Sequence, residues 1–328
     1  MFEKESMINR RHAILMGSAL CLPALQANAQ SQWPDKPIRL VLPFPAGGGT
    51  DVMARAMTEP LREVLGQSVL IINKPGAAGV VAAADVIRAA PDGYTFFMGP
   101  SSQESIVPFI MKVNIDTVRD LIPVAAVGRF QNHLVVKADS PFKDIKDLVT
   151  YARNNPKKVT YGSAGTGTMP HIVGELLMQQ AGIEIIHVPY KGAGPALQAV
   201  LAGEVDAVFD PGVSFPHVTA GKLRMIWVAS GSKSIYFPNV PTAVDSGMND
   251  VQMDMLTGLW APAATPPRIV EQMAVAIEKI IGTPDFKKKM SGMGAQPLYM
   301  SPSNFTKFVR DETKLLSVLI KERKISAE

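Results

Sequence analysis

Cysteine is all but missing. Cys21 is the single one in 328 residues, so no disulfide can close within the chain and no thiolate-rich metal site can be built. A strong charge of one sign is missing too. The formal net charge is +4 with no long Lys/Arg run, which gives no reason to expect nucleic acid as a partner. Beyond the N-terminus no stretch reaches the roughly 18 uninterrupted apolar residues of a membrane span. There is no short-period repeat and no low-complexity linker. The glycine-rich stretches lack both the G-x-G-x-x-G spacing of a dinucleotide site and the Gly-Lys-Ser/Thr ending of a P-loop, so no cofactor is expected. With 47% hydrophobic and 19% charged residues, what remains is an ordinary globular chain, long enough for two domains.

The N-terminus carries a targeting pattern. Arg10-Arg11 forms a basic flank, an apolar region follows over 13–25, and Ala27-Asn28-Ala29 ends it with small residues. That predicts a secretory signal peptide over 1–29, cut after Ala29. Cys21 lies inside it behind Leu20, where a lipid-anchor site would have a small residue. The mature chain is therefore expected to be exported, soluble and free of cysteine.

The rest is organised around Pro43-Phe44-Pro45-Ala46-Gly47-Gly48-Gly49-Thr50-Asp51. An apolar strand (38–42) precedes it and a helix (52–65) follows, with Pro60 expected to kink that helix. A strand, a glycine-rich turn and a Thr/Asp helix start put backbone N–H groups where an anion can bind. The pattern recurs. Strand 69–72 leads through Gly76-Ala77-Ala78-Gly79 into helix 80–90, and strand 94–98 opens into Ser101-Ser102. In the second half, strands at 134–137, 159–161, 185–188, 205–209 and 223–229 alternate with helices at 140–154, 169–181 and 195–202. A returning strand (257–261) and helices at 266–281 and 303–321 complete the chain. This is the rhythm of parallel α/β sheets, whose ligands gather at the strands' carboxyl ends. Two such units without a flexible linker suggest lobes about a cleft.

The third glycine-rich loop, Gly162-Ser163-Ala164-Gly165-Thr166-Gly167-Thr168, invites a nucleophile reading, with His171 and Asp210 completing a triad. However, Tyr161 stands where the elbow motif needs glycine, and His171 follows Ser163 in the same loop–helix unit. Ser163, Thr166 and Thr168 read better as donors at a helix N-terminus. His171 and Glu175, four apart on a helix, have no third ligand at metal-site spacing. His133, His187 and His217 read as structural. Lys191 is either a solvated turn lysine or a group that steers a carboxylate. Asp210 either caps the turn after its strand or accepts from a ligand hydroxyl or ammonium.

Several segments together resemble one family. Trp33-Pro34-Asp35-Lys36-Pro37-Ile38, the 43–51 loop, Asn73-Lys74-Pro75-Gly76-Ala77 and Pro91-Asp92-Gly93-Tyr94-Thr95 resemble the Bug family, periplasmic receptors of tripartite tricarboxylate transporters. So do Tyr161-Gly162-Ser163-Ala164-Gly165, His187-Val188-Pro189-Tyr190-Lys191-Gly192, Gly203-Glu204-Val205-Asp206-Ala207-Val208-Phe209-Asp210 and Phe237-Pro238-Asn239-Val240-Pro241-Thr242. The resemblance covers 33–328 and implies an α/β, two-lobed periplasmic-binding-protein (Venus flytrap, type II) fold with two crossover connections. Lobe 1 would be 30–130 plus 235–328, and lobe 2 would be 131–234, with crossings near 127–132 and 230–237.

It also implies a periplasmic binding protein without catalysis. It would be a monomer that holds a small organic carboxylate and presents it to the membrane components of its transporter. On this chain the implied ligand contacts are Phe44, Pro45, Ala46, Gly47, Gly48, Gly49, Thr50, Asp51, Gly76, Ala77 and Ala78 from one lobe. Ser163, Ala164, Thr166, Gly167, Thr168, His171 and Asp210 are those from the other. Ala46 replaces a proline common in the family. Ser101-Ser102 and Arg129-Phe130-Gln131-Asn132, among them Ser101 and Gln131, would select the distal end, where the amides of Gln131 and Asn132 suggest a hydrogen-bonding ligand. A Ser163 hydrolase and an exported ligand sensor are the alternatives.

Overall fold

A computed structural model describes residues 33–291, 294–322 and 325–326; the expected signal peptide and its cleavage after Ala29 lie outside the described residues. The chain opens with β1 (Ile38–Leu42), α1 (Gly49–Leu65), β2 (Val69–Asn73), α2 (Val80–Ile87) and β3 (Thr95–Pro100). Short helices α3 (Ser102–Ser105), α4 (Val107–Ile110) and α5 (Thr117–Asp120) then lead to the long β4 (Leu121–Phe130). Next come β5 (His133–Lys137), α6 (Ile145–Asn154), β6 (Thr160–Ser163), α7 (Met169–Ala181), β7 (Ile186–Pro189), α8 (Ala193–Ala202), β8 (Ala207–Asp210), α9 (Phe215–Thr219) and β9 (Leu223–Val228). The last elements are β10 (Met255–Pro262), α10 (Pro267–Ile281), α11 (Pro284–Ser291), β11 (Ala295–Met300) and α12 (Pro302–Glu322).

Two sheets form. One has the order β11-β4-β10-β3-β1-β2 and the other β7-β6-β8-β5-β9. β1 lies between β2 and β3, parallel to both, which is why Leu40, Val41 and Leu42 are buried on both faces and the strand reads as a continuous apolar run. In the second sheet β6 holds the equivalent place, parallel to β7 and β8. Each α/β unit therefore delivers the carboxyl end of its strands to a loop and a helix start.

Local chemistry sets the helix limits. Asp144 accepts from the backbone N–H groups of Lys146 and Asp147, so α6 starts after it. Gly66, at φ 72°, closes α1 in the left-handed conformation, the usual place for glycine. α1 runs through Pro60 as one helix. Buried Ile269, Val270, Met273, Ala274, Ile277, Ile280 and Ile281 line one stripe of α10 at helical spacing and seal it to the first sheet.

The chain first crosses between sheets at Gln131-Asn132, between β4 and β5. Its return comes later than the expected 230–237. Val228 accepts from Ala243 and donates to Pro241, Thr242 bridges to Val228, and Met253 donates to Ala229. These bonds keep the chain on the edge of the second sheet until just before β10. The first crossing is fastened to the segment that follows β9 and to the return: the Gln131 amide donates to the Ser232 carbonyl at 2.8 Å, and the Asn132 amide to the Met253 carbonyl at 2.7 Å.

Candidate ligand-binding cleft

The first loop is held in shape by Asp51. Its buried carboxylate accepts from the Gly47 N–H at 2.9 Å, Arg55 Nε at 2.8 Å and Asn73 Nδ2 at 3.0 Å. Asn73 also donates to the Phe44 carbonyl at 2.9 Å. Burial alone would raise the Asp51 pKa, but these hydrogen bonds and the Arg55 charge outweigh it and hold the carboxyl below its usual range. Asp51 therefore works as a brace. The second loop is strained: Gly76, Ala77, Ala78 and Gly79 all have positive φ (138°, 46°, 51° and 102°). Two successive alanines in the left-handed region are uncommon and persist where the surroundings over-determine them; here the Gln103 amide donates to the Ala78 carbonyl.

The third loop rests on a column of rings. β6 and β7 are parallel neighbours that pair Tyr161 with His187 and Ser163 with Pro189. The Tyr161 and His187 rings stack at 4.9 Å, and the His171 and His187 rings stack at 4.4 Å. Ser163 Oγ lies within hydrogen-bond distance of His187 Nε2, at 2.7 Å, and accepts from the Gly165 N–H at 3.1 Å. His171 Nδ1 accepts from the Gly167 N–H at 3.3 Å. Both imidazoles thus hold the loop through a ring nitrogen. Burial pushes His171 down to about 4, and burial with the His171 charge pushes His187 down to about 3.

A test follows from His171. The folded chain keeps this imidazole neutral while the unfolded chain takes up a proton below about pH 6.5. The folded state binds fewer protons, so stability falls as pH falls from about 6.5 toward 4. Glu104 and Glu312, raised by burial to about 8 and about 7, titrate in the opposite sense over part of that range. The difference between variants cancels Glu104 and Glu312, which both proteins share, and reports His171 together with its effect on the stacked His187. Relative to wild type, His171→Gln should gain about 2 kcal/mol between pH 7 and 4.5, read from urea midpoints at each pH; equal pH dependence of the two proteins would refute this.

The three loops meet between the sheets. An enclosed cavity of about 30 Å³ is lined by Phe44, Gly49 and Thr50 from the first loop and by Ala164, Thr168 and Met169 from the third. Pro100, Ser102, Phe130, Pro170, Ala193, Pro211 and Met255 complete its wall. An open groove of about 240 Å³ shares Phe44 and Ala164 with it and adds Gly76, Ala77, Ala78, Thr166, Tyr190 and Lys191. The N-termini of α1, α7 and α8 border the enclosed cavity through Gly49, Met169 and Ala193, giving it positive partial charge from backbone N–H groups. The lobes touch across it. A Cβ on Gly167 would stand 3.3 Å from that of Ala78, and one on Gly192 would stand 3.1 Å from Pro45 Cδ. A larger hollow of about 640 Å³ between α12 and Ser230-Gly231-Ser232 shares no lining residue with either.

Of the residues expected in the site, Phe44, Gly49, Thr50, Gly76, Ala77, Ala78, Ala164, Thr166 and Thr168 line these cavities. Pro45, Ala46, Gly47 and Gly48 shape the first loop without lining them, while Ser163, Gly167 and His171 support the third from behind. Ser101 is buried beside the lining Ser102. Gln131 is committed to the hinge. Asp210 is buried, its Oδ2 accepting from Gly212, Ser214 N–H and the Ser214 hydroxyl at 2.6–2.9 Å, while Oδ1 has no partner. The Ser163–His171–Asp210 triad does not assemble, because the Ser163 hydroxyl is taken by His187. Sequence reasoning missed Met169, Pro170, Ala193, Pro211 and Met255, whose shared signal is position at the carboxyl end of a strand or the start of the next element. Among the described residues no cluster could hold a metal, and no helix is long and apolar enough to cross a membrane.

The family model described as tripartite tricarboxylate transporter family receptor matches residues 53–325. The chain belongs to this family. It is 36% identical over 322 residues to the UPF0065 protein in the gbd 5' region of Cupriavidus necator, covering 96% of this chain and 98% of that protein. It is 30% identical over 294 residues to BugT of Bordetella pertussis (88% and 90% covered). Among solved structures, Rpa4515 of R. palustris with adipate matches with a TM-score of 0.86 at 30% identity, covering 90% of this chain and 99% of that one. MatC of Rhodopseudomonas palustris with bound malate matches with a TM-score of 0.82 at 29% identity (88% and 100% covered). The Bug resemblance and the two-lobed type II fold are thereby established for this receptor.

Proposed function

We propose that this receptor captures a small organic carboxylate between its lobes in the periplasm and hands it, as a closed complex, to the membrane components of a tripartite tricarboxylate transporter. The observation that carries the reading is the convergence of three glycine-rich loops, from both sheets, on a cavity bordered by three helix N-termini and on the groove that shares Phe44 and Ala164 with it. Backbone N–H groups there suit a carboxylate, and relatives of the same fold hold adipate and malate. Closure joins donors from both lobes around the ligand and gives the transporter a shape it meets only in the loaded state. The receptor performs no chemistry of its own.

The mature protein, first stripped of carried-over ligand, should melt at higher temperature with at least one small carboxylate, because ligand bound to the folded state stabilises it by mass action. Saturable binding without turnover is expected. No shift across mono-, di- and tricarboxylates would overturn the proposal.

A further inference from the structure

We infer that the ligand of this cleft bears a single carboxylate on an apolar body, an inference that rests on the receptor reading above. The enclosed cavity is walled by Phe44, Phe130, Met169, Met255, Pro100 and Pro211. None of its lining residues is charged, and its side-chain donors are the hydroxyls of Thr50, Ser102 and Thr168. The Thr168 hydroxyl already donates to the Gly165 carbonyl at 2.7 Å. The amides that a polar distal group would need, those of Gln131 and Asn132, are turned away to fasten the crossings.

Charge decides the rest. The attraction for an anion comes from the N-termini of α1, α7 and α8, which border one cavity of about 30 Å³. Because all three border the same cavity, they converge on one carboxylate rather than on two separate ones. The one charged side chain lining either cavity is Lys191, exposed in the open groove. The ionisable residues that adjoin this wall in sequence offer no free cation: Asp210, 1% exposed, directly precedes the lining Pro211, and Arg129, before Phe130, is paired with Asp254 at 3.3 Å. A second carboxylate beside Phe130 and Met255 would lose its water without gaining a cation, which is costly for an ion. An apolar group in the same place gains by leaving water.

The test is calorimetric titration of the stripped mature protein with two matched pairs, hexanoate against adipate and benzoate against terephthalate, and with malate. The expected result is that the tightest binder of the five is a monocarboxylate, with a Kd at least tenfold below that of its dicarboxylate counterpart. A smaller preference, or adipate, terephthalate or malate as the tightest binder, overturns the inference and leaves the receptor reading standing. Binding of none of the five, with no response to any other carboxylate in the melting assay, overturns both.

Discussion

A Gly49→Val receptor should lose carboxylate affinity by about 100-fold or more, roughly 2.7 kcal/mol, while its ligand-free melting temperature stays within a few degrees of wild type. Gly49 opens α1 and lines the enclosed cavity. A Cβ placed on it would stand 3.3 and 3.4 Å from two ring carbons of Phe130, so the two valine methyls have only the cavity to enter. They would occupy the space beside the first-turn N–H groups that the anion needs. The backbone asks little in return. Gly49 is not among the positive-φ residues, and valine costs no more than glycine in a helix. Titration calorimetry and a ligand-free melt, run on the same preparation, separate occlusion from unfolding. Unchanged affinity would place the carboxylate elsewhere in the molecule.

The sequence carries the parallel α/β units because each element there is locally determined. An apolar run, a glycine turn and an amphipathic stretch are enough to mark β1, the loop and α1, and α7 runs over the expected 169–181. β4 and β11 were not legible. β4 contains Pro123 and Ala125-Ala126, and it becomes a strand because β10 and β11 bond to its two edges. β11 carries Pro297, which a strand tolerates at a sheet edge. The same contrast holds for the site. The glycine loops announce themselves, whereas Phe130, Pro211 and Met255 lie far apart in the chain and meet only through the crossings. His187 looks structural beside its apolar run; its bond to Ser163 needs β6 and β7 side by side. The expected role of Gln131 and Asn132 in polar selection follows from their type, yet each amide is claimed by a backbone carbonyl at the hinge, a partner that no local pattern reveals.

Gly258→Ala should cost about 3 kcal/mol of stability. Gly258 lies in β10 at a register shift against β4, with β3 bonded on the other side. A Cβ there would collide with the Phe305 ring and stand 2.6 Å from the Ala125 carbonyl oxygen. Neither neighbour can yield cheaply. The Phe305 ring is fully buried and tilted against Trp260 at 4.9 Å, and Ala125 belongs to β4, which bonds to strands on both sides. Shaving the ring separates the two contributions. Phe305→Leu on its own should destabilise by opening space, but in the Gly258→Ala background it should cost less than in wild type, because it relieves the ring collision and leaves only the carbonyl contact. Additive losses in the double-mutant cycle, measured by urea unfolding, would show that the ring is not what excludes a side chain at 258. Because Phe305 seats α12 on the first sheet and α12 also borders the crossings, the same variant should loosen the lobe that carries the first two loops. Ligand affinity should then fall together with stability, in contrast to Gly49→Val, where the two part company.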